Sequence, residues 1–156
     1  MKRVKVLIVD DDANFAVLIE ARLKAAGYEA ITANSAAEAY QTFASFKPDL
    51  VLTDIGIGEE NGLDLVKRIR SQSDNIRTIY MTGDLARYHA ALVQEKLLHH
   101  VEVMAKPFNG SQLIAVVSAQ TRSQQQAGYV RRRITDEVDK KSSGVAQTLN
   151  FKKRMV

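Results

Sequence analysis

The chain has no cysteine among its 156 residues. That excludes a disulfide framework and a thiolate zinc site, and nothing points to an oxidising compartment. Long hydrophobic runs are also missing. Charged residues interrupt every apolar stretch well short of the ~20 positions a bilayer span requires, and the Met-Lys-Arg start is not followed by a long apolar segment. Neither membrane insertion nor a secretory signal is expected, and a cytoplasmic location is the default expectation. The three histidines are His89, His99 and His100. Adjacent histidines on a helix diverge by about 100°, so solvent exposure rather than a shared ion is expected of them. The two prolines, Pro48 and Pro107, both stand where a periodic segment stops.

Charge of one sign is scarce in one part of the chain only. Residues 1–121 carry 13 Lys and Arg against 15 Asp and Glu, a net of −2, whereas residues 122–156 carry 9 against 3, a net of +6. The basic balance therefore belongs to the end of the chain. At this length one domain with a single core is expected over residues 1–121. Residues 122–156, rich in Ser, Gln and basic side chains without sustained apolar spacing, are expected to form a basic extension, linker or weakly packed helix. Such a segment can attract polyanions, but Arg131 to Arg133 read first as solvated charge, and nucleic-acid binding is not expected.

What is present is a set of short apolar runs ending on polar residues: Val4 to Val9 before Asp10 and Asp11, Leu50 to Thr53 before Asp54, Ile76 to Met81 before Thr82, and Val101 to Ala105 before Lys106. With Tyr28 to Thr32 they make five predicted strands. Amphipathic stretches of helical length separate them. The first has Phe15, Leu18, Ile19 and Leu23 on one face and ends at Gly27. The second opens on a capping box of Ser35 and Glu38, turns Ala36, Ala39, Tyr40 and Phe43 inward and stops at Pro48. The third has Leu63, Val66 and Ile69 as its buried stripe, after a glycine-containing loop from Gly56 to Gly62. The fourth is capped by Asp84 and runs to about His99, with Leu85, Leu92 and Leu97 apolar. The last begins near Gly110, with Leu113, Ile114, Val116 and Val117. Five βα units imply an α/β fold whose parallel strands bring Asp10, Asp11, Asp54, Thr82 and Lys106 to one sheet edge, where ligands bind in such sheets.

Three carboxylates at one edge repel each other unless a cation neutralises them. Oxygen-only donors suit a hard ion that keeps several waters, so Mg²⁺ is favoured over zinc or copper. A carboxylate beside such an ion can attack phosphorus and form an acyl phosphate, while an ammonium shares the charge of the transferred group. Asp54, alone at the end of the third strand, is the expected nucleophile. Lys106 is the positive partner, and Thr82 is a hydroxyl able to donate to a phosphoryl oxygen. Asp12 reads as a helix cap. Glu59, Glu60, Arg68 and Arg70 read as solvated faces, and Val101 and Val103 as packing.

This combination resembles the receiver domain of two-component response regulators over roughly residues 3–120. The family's acidic pair corresponds to Asp10 and Asp11, its phospho-acceptor to Asp54, its hydroxyl residue to Thr82, its Lys-Pro to Lys106 and Pro107, and a glycine before its third helix to Gly62. The resemblance implies a flavodoxin-like, doubly wound five-stranded parallel sheet of order 2-1-3-4-5 with five helices. It implies Mg²⁺ held by Asp11, Asp54 and the backbone carbonyl of Gly56, with Asp10 acting through water, and a cis Lys106–Pro107 peptide. It further implies phosphorylation of Asp54 by a sensor histidine kinase or histidine phosphotransfer protein. The output would be a protein contact, to a downstream effector or in a homodimer, through the face of the fourth helix, fifth strand and fifth helix. Such a chain is a signalling switch that catalyses only its own phosphoryl transfer and dephosphorylation.

Three features depart from the family pattern. Val103 stands where an aromatic switch residue is usual, so coupling from Thr82 outward is expected to differ. The loop after Asp54 lacks the common Met-Pro, so lower rigidity is expected. Gly56 offers no side chain two positions past Asp54, so Asp84, two past Thr82, is expected to control the phosphoryl lifetime. Two other readings use the same residues. One is a haloacid-dehalogenase-like phosphatase with Asp10 as nucleophile and Asp12 as acid/base, although the acids that family needs after its Lys are absent between Pro107 and Thr135. The other is a receiver that signals without phosphorylation.

Overall fold

A computed structural model describes residues 2–122. The chain divides into two units, Met1–Gln120 and Thr121–Val156. The first is described here, and the basic extension expected over 122–156 lies, but for Arg122, outside the described residues. In chain order the elements are β1 (Lys5–Val9), α1 (Ala13–Ala25), β2 (Glu29–Ala33), α2 (Ala36–Phe46), β3 (Leu50–Asp54), a ribbon of β4 (Gly56–Ile57) and β5 (Glu60–Asn61), α3 (Gly62–Arg70), β6 (Arg77–Thr82), α4 (Leu85–Leu98) and β7 (Val101–Ala105). A further helix, α5, starts at residue 110 and continues to the last described residue, 122.

Five strands form one parallel sheet in the order β2-β1-β3-β6-β7. This is the expected 2-1-3-4-5 order once the two-residue ribbon is left out of the count. Strands covered on both faces read as continuous apolar runs, because neither side may be polar. Val6, Ile8, Leu52 and Met81 pack under α1 and α5 through Ile19, Leu23, Leu113 and Val117. Leu7, Val9 and Val51 face α2 and α3 through Phe43, Leu65 and Ile69. Tyr80 and Val101 pack with Val66 of α3 and Leu92 of α4.

Local signals explain most helix boundaries. Asp12 caps α1, its carboxylate accepting from the Phe15 amide at 3.1 Å. Ser35 accepts from Glu38 N at 3.1 Å, while Glu38 reaches back to Asn34 N at 3.0 Å. Asp84 accepts from Arg87 N at 3.1 Å. At the start of α5, Asn109 and Gln112 cap each other reciprocally at 2.8 and 2.9 Å.

The structure adds to or departs from the expected pattern at four points. Leu18 is 66% exposed, because Ala16, Ile19 and Leu23 carry the inward face of α1 and Leu18 falls beside it. On α4, Leu85 and Leu97 are exposed, and only Leu92 and Glu95 are buried. The segment after Asp54 is not an open loop: Ile57 is buried, and Gly58 at φ +59° allows the tight reversal that pairs β4 with β5. Lastly, α5 stays packed beyond Val117, the last apolar residue expected of it, since Gln120 is buried and donates to the Thr78 carbonyl at 3.4 Å.

Candidate functional site

Parallel register brings the site together. Val9 lies beside Thr53, Asp54 beside Met81, and Thr82 beside Ala105. The residues that end or follow these strands therefore converge at one edge, where the sheet order reverses between β1 and β3. Asp10 is 1% exposed and Asp54 partly buried, whereas Asp11 is exposed. Lys106 Nζ donates to Asp10 Oδ2 at 2.8 Å and to Asp54 Oδ2 at 3.0 Å. The same ammonium lies 4.5 Å from the centre of the Phe15 ring, which packs on Phe108. The Phe15 ring covers one side of the ammonium and adds a cation–π attraction of about 0.5–1 kcal/mol. The Lys106–Pro107 peptide is cis.

The carboxylates retain unmet charge. Burial pushes Asp10 above its ordinary range, against the opposing bonds from Lys106 and the Asp12 amide. Burial alone would lower Lys106, but its hydrogen bonds to Asp10 and Asp54 hold it above its usual value. One ammonium against three carboxylates leaves an excess of negative charge. Asp10, Asp11 and Asp54 each offer an oxygen, and these oxygens all lie within 4.8 Å of one another. An all-oxygen donor set of this size, with a charge deficit and no sulfur or imidazole, fits a hard divalent ion.

Thr82 is buried, and its hydroxyl oxygen accepts from the Asp84 amide at 3.0 Å, which leaves its proton free to donate elsewhere. Gly62 packs directly on the phospho-acceptor candidate: a Cβ there would stand 2.1 Å from the Asp54 carbonyl oxygen. The Gly62 amide donates to the Ile55 carbonyl at 2.7 Å. Gly58 N donates to Asp11 Oδ2 at 3.1 Å, so the ribbon after Asp54 is tied to the acidic pair. The segment that lacks the family's Met-Pro forms a hydrogen-bonded turn. Gly56 opens the ribbon. Asp12, the acid/base of the phosphatase reading, is spent on capping α1.

Sequence reasoning missed a buried polar cluster behind the site. Arg70 is not a solvated residue. Its Nη1 and Nη2 hold Glu95 Oε1 and Oε2 at 3.1 and 2.6 Å, and both side chains are only 10% exposed. Tyr80, fully buried on β6, donates its hydroxyl to Glu95 Oε2 at 2.9 Å. Burial and the neighbouring carboxylate hold the Tyr80 hydroxyl well above its usual range. The signal was one of spacing: Arg70 falls four residues after Val66 on the buried stripe of α3, and Glu95 falls three after Leu92 on that of α4. A charge at such a position requires a partner. Arg68 is exposed but stacks on Tyr40, 4.5 Å from its ring centre.

A family model for the response regulator receiver domain matches residues 6–118. The sporulation initiation phosphotransferase F of Bacillus subtilis is 34% identical over 112 residues, covering 70% of this chain and 86% of that protein. The alkaline phosphatase synthesis transcriptional regulatory protein PhoP, also of B. subtilis, is 28% identical over 135 residues, which is 86% of this chain. The chain spans 55% of the length of that regulator and 24% of the transcriptional regulator NtrC of Azospirillum brasilense. In fold it is similar to the chemotaxis response regulator CheY4 of Vibrio cholerae, with a TM-score of 0.68 and 24% identity over 76% of this chain and 99% of that one. Among the described residues no helix is long and apolar enough to cross a membrane.

Proposed function

This chain belongs to the response regulator receiver family of two-component signalling, and on that premise we propose that it takes a phosphoryl group onto Asp54 and answers by changing a protein-binding surface. The observation that carries the reading is Lys106 bridging Asp10 and Asp54 at 2.8 and 3.0 Å, beside a cluster of carboxylate oxygens with charge to spare. In the step proposed, an Asp54 oxygen attacks the phosphorus of a phosphohistidine on a sensor kinase or phosphotransfer protein. The O–P bond forms as the P–N bond breaks, and the histidine nitrogen leaves with the electron pair. Lys106 then shares the charge of the new phosphoryl group, and the Thr82 hydroxyl donates to one of its oxygens.

Asp10, Asp11, Asp54 and the Gly56 carbonyl would hold Mg²⁺, which supplies charge neutralisation of the transferring oxygens. The carboxylates of Asp10 and Asp11 orient and neutralise; neither is the acceptor. Catalysis is confined to the chain's own phosphoryl transfer and its reversal by water, which makes the molecule a switch rather than a turnover enzyme. Residues 1–121 act as the receiver in a cytoplasmic setting, and residues 122–156, with their net charge of +6, add attraction to an acidic partner. The partner-facing surface by family analogy is α4, β7 and α5.

Incubation with a small-molecule phosphodonor and Mg²⁺ tests the proposal through the intact mass. One phosphoryl group per chain is expected, with uptake lost when a chelator removes the ion. Uptake that is absent with Mg²⁺, or indifferent to the chelator, would refute it. A second expectation concerns decay. Asp84 is exposed two residues past Thr82, at the mouth of the site, where a carboxylate can orient an attacking water. Asp84→Ala is expected to slow hydrolysis of the acyl phosphate several-fold, and to cost about 1 kcal/mol through loss of the α4 cap. An unchanged decay rate measured by loss of label would count against this role.

A further inference from the structure

We propose that Tyr80, Glu95 and Arg70 are positioning residues that transmit the state of the phospho-acceptor site to α4, in place of an aromatic residue on β7. The inference rests on the phosphorylation proposed above and names how that event would travel. Three observations carry it.

The first is a closed circuit of contacts that leaves the site and returns to it. Gly62, the first residue of α3, packs against the carbonyl of Asp54. Arg70, the last residue of the same helix, grips both oxygens of Glu95 on α4. Glu95 accepts in turn from the Tyr80 hydroxyl. Tyr80 lies two residues before Thr82 on β6, so both residues stand on the same side of one strand. A displacement of Thr82 toward a phosphorylated Asp54 therefore acts on α4 from β6 through Tyr80 and from α3 through Arg70.

The second is how little else holds α4. Only Leu92 and Glu95 are fully buried along its 14 residues, with Tyr88 and Ala91 half-buried beside them, so the carboxylate is the one polar anchor of the helix among its buried residues. A groove of about 270 Å³, partly open to solvent, runs between α3 and α4, with Leu63, Lys67, Arg70, Ala91, Glu95 and Leu98 among its lining residues. A helix with an unfilled flank can shift at low cost, whereas close-packed elements resist displacement. The ion pair and its tyrosine then decide where the helix sits.

The third is the neighbour in register. Tyr80 pairs with Val103, and the two share a cluster with Ala91 and Leu92. The aromatic ring beneath α4 is thus supplied by β6, and the β7 position beside it is filled by a small branched side chain. Tyr80 is fully buried with its hydroxyl bonded, so it acts as a tether rather than a swinging gate.

Tyr80→Phe removes the tether's hydroxyl and leaves the ring, the Arg70–Glu95 pair and the site untouched. Hydrogen exchange is compared with and without phosphodonor and Mg²⁺, alongside intact mass, for wild type, Tyr80→Phe and the control Tyr88→Phe. In wild type and the control, phosphorylation is expected to change exchange around Thr82 and along Leu85–Leu98. In Tyr80→Phe the label and the change at Thr82 should persist, while the change along α4 falls at least several-fold. A full α4 response in Tyr80→Phe, or an α4 unresponsive in phosphorylated wild type, would overturn the inference while leaving phosphoryl acceptance by Asp54 standing. Wild type that takes no label would overturn both.

Discussion

Gly62→Ala is expected to slow phosphoryl uptake by Asp54 on the order of a hundredfold, because a displacement near 1 Å of a reacting group costs about that much. The added methyl would stand 2.1 Å from the Asp54 carbonyl oxygen and 3.1 Å from Thr53 Oγ1. No flexible side-chain end is there to yield. The obstacle is the backbone of the acceptor residue itself, next to a Gly62 amide already bonded to the Ile55 carbonyl at 2.7 Å. Either α3 moves away from the strand or Asp54 moves within the site. Overpacking of this kind costs about 1–3 kcal/mol, and the upper end is expected where main chain meets main chain. Denaturant unfolding and the rate of mass gain together check the prediction. A variant with normal stability and normal uptake would show that the close approach is not structural.

Glu95→Ala is expected to cost about 3–5 kcal/mol, since removing one partner of a buried ion pair strands the other. Arg70 would keep its charge with its side chain 10% exposed, and the Tyr80 hydroxyl would lose its acceptor. Against a typical total of about 5–15 kcal/mol, that is a large share, equivalent to a drop in Tm on the order of 10 °C or more. Glu95→Gln keeps an acceptor for Tyr80 and should lose less. Acid separates the charge from the packing. Burial alone would raise the Glu95 carboxyl, but the Arg70 fork, the Tyr80 hydroxyl and the nearby His99 hold it below its ordinary range. A carboxyl depressed in the folded state contributes its stability in full above the unfolded value of about 4.3 and loses it as pH falls through the lower folded value. The stability gap between wild type and Glu95→Gln should therefore narrow below about pH 4. A gap independent of pH would mean that Glu95 is not ionised in its buried position.

Much of this architecture could be read from residue order. Continuous apolar strands between helical stretches required a parallel sheet covered on both faces, and parallel strands necessarily bring Asp10, Asp54, Thr82 and Lys106 to one edge. Caps such as Asp12, Ser35 and Asp84 were legible because a short oxygen-bearing side chain before an apolar periodicity has one common use. The failures have a shared cause. Leu18 lies at the margin of an apolar arc, where hydropathy does not say which side of the arc meets the sheet. Leu97 is 80% exposed because five residues, about 140° around the helix, separate it from Leu92, off the face that Leu92 and Glu95 bury. Arg70 and Glu95 were invisible as a pair because 25 residues separate them and only the tertiary fold brings them together. The ribbon after Asp54 was hidden by its glycines, which permit a loop and a tight reversal equally.

The position of the label decides whether Asp54 is the acceptor. Wild type, Asp54→Ala and Asp10→Ala are each incubated with phosphodonor and Mg²⁺, and the modified peptide is located. Label is expected on Asp54 in wild type and none in Asp54→Ala. In Asp10→Ala, label on Asp54 should form more slowly. Label mapped to Asp10, or normal uptake by protein lacking the Asp54 carboxyl, would contradict that role for Asp54.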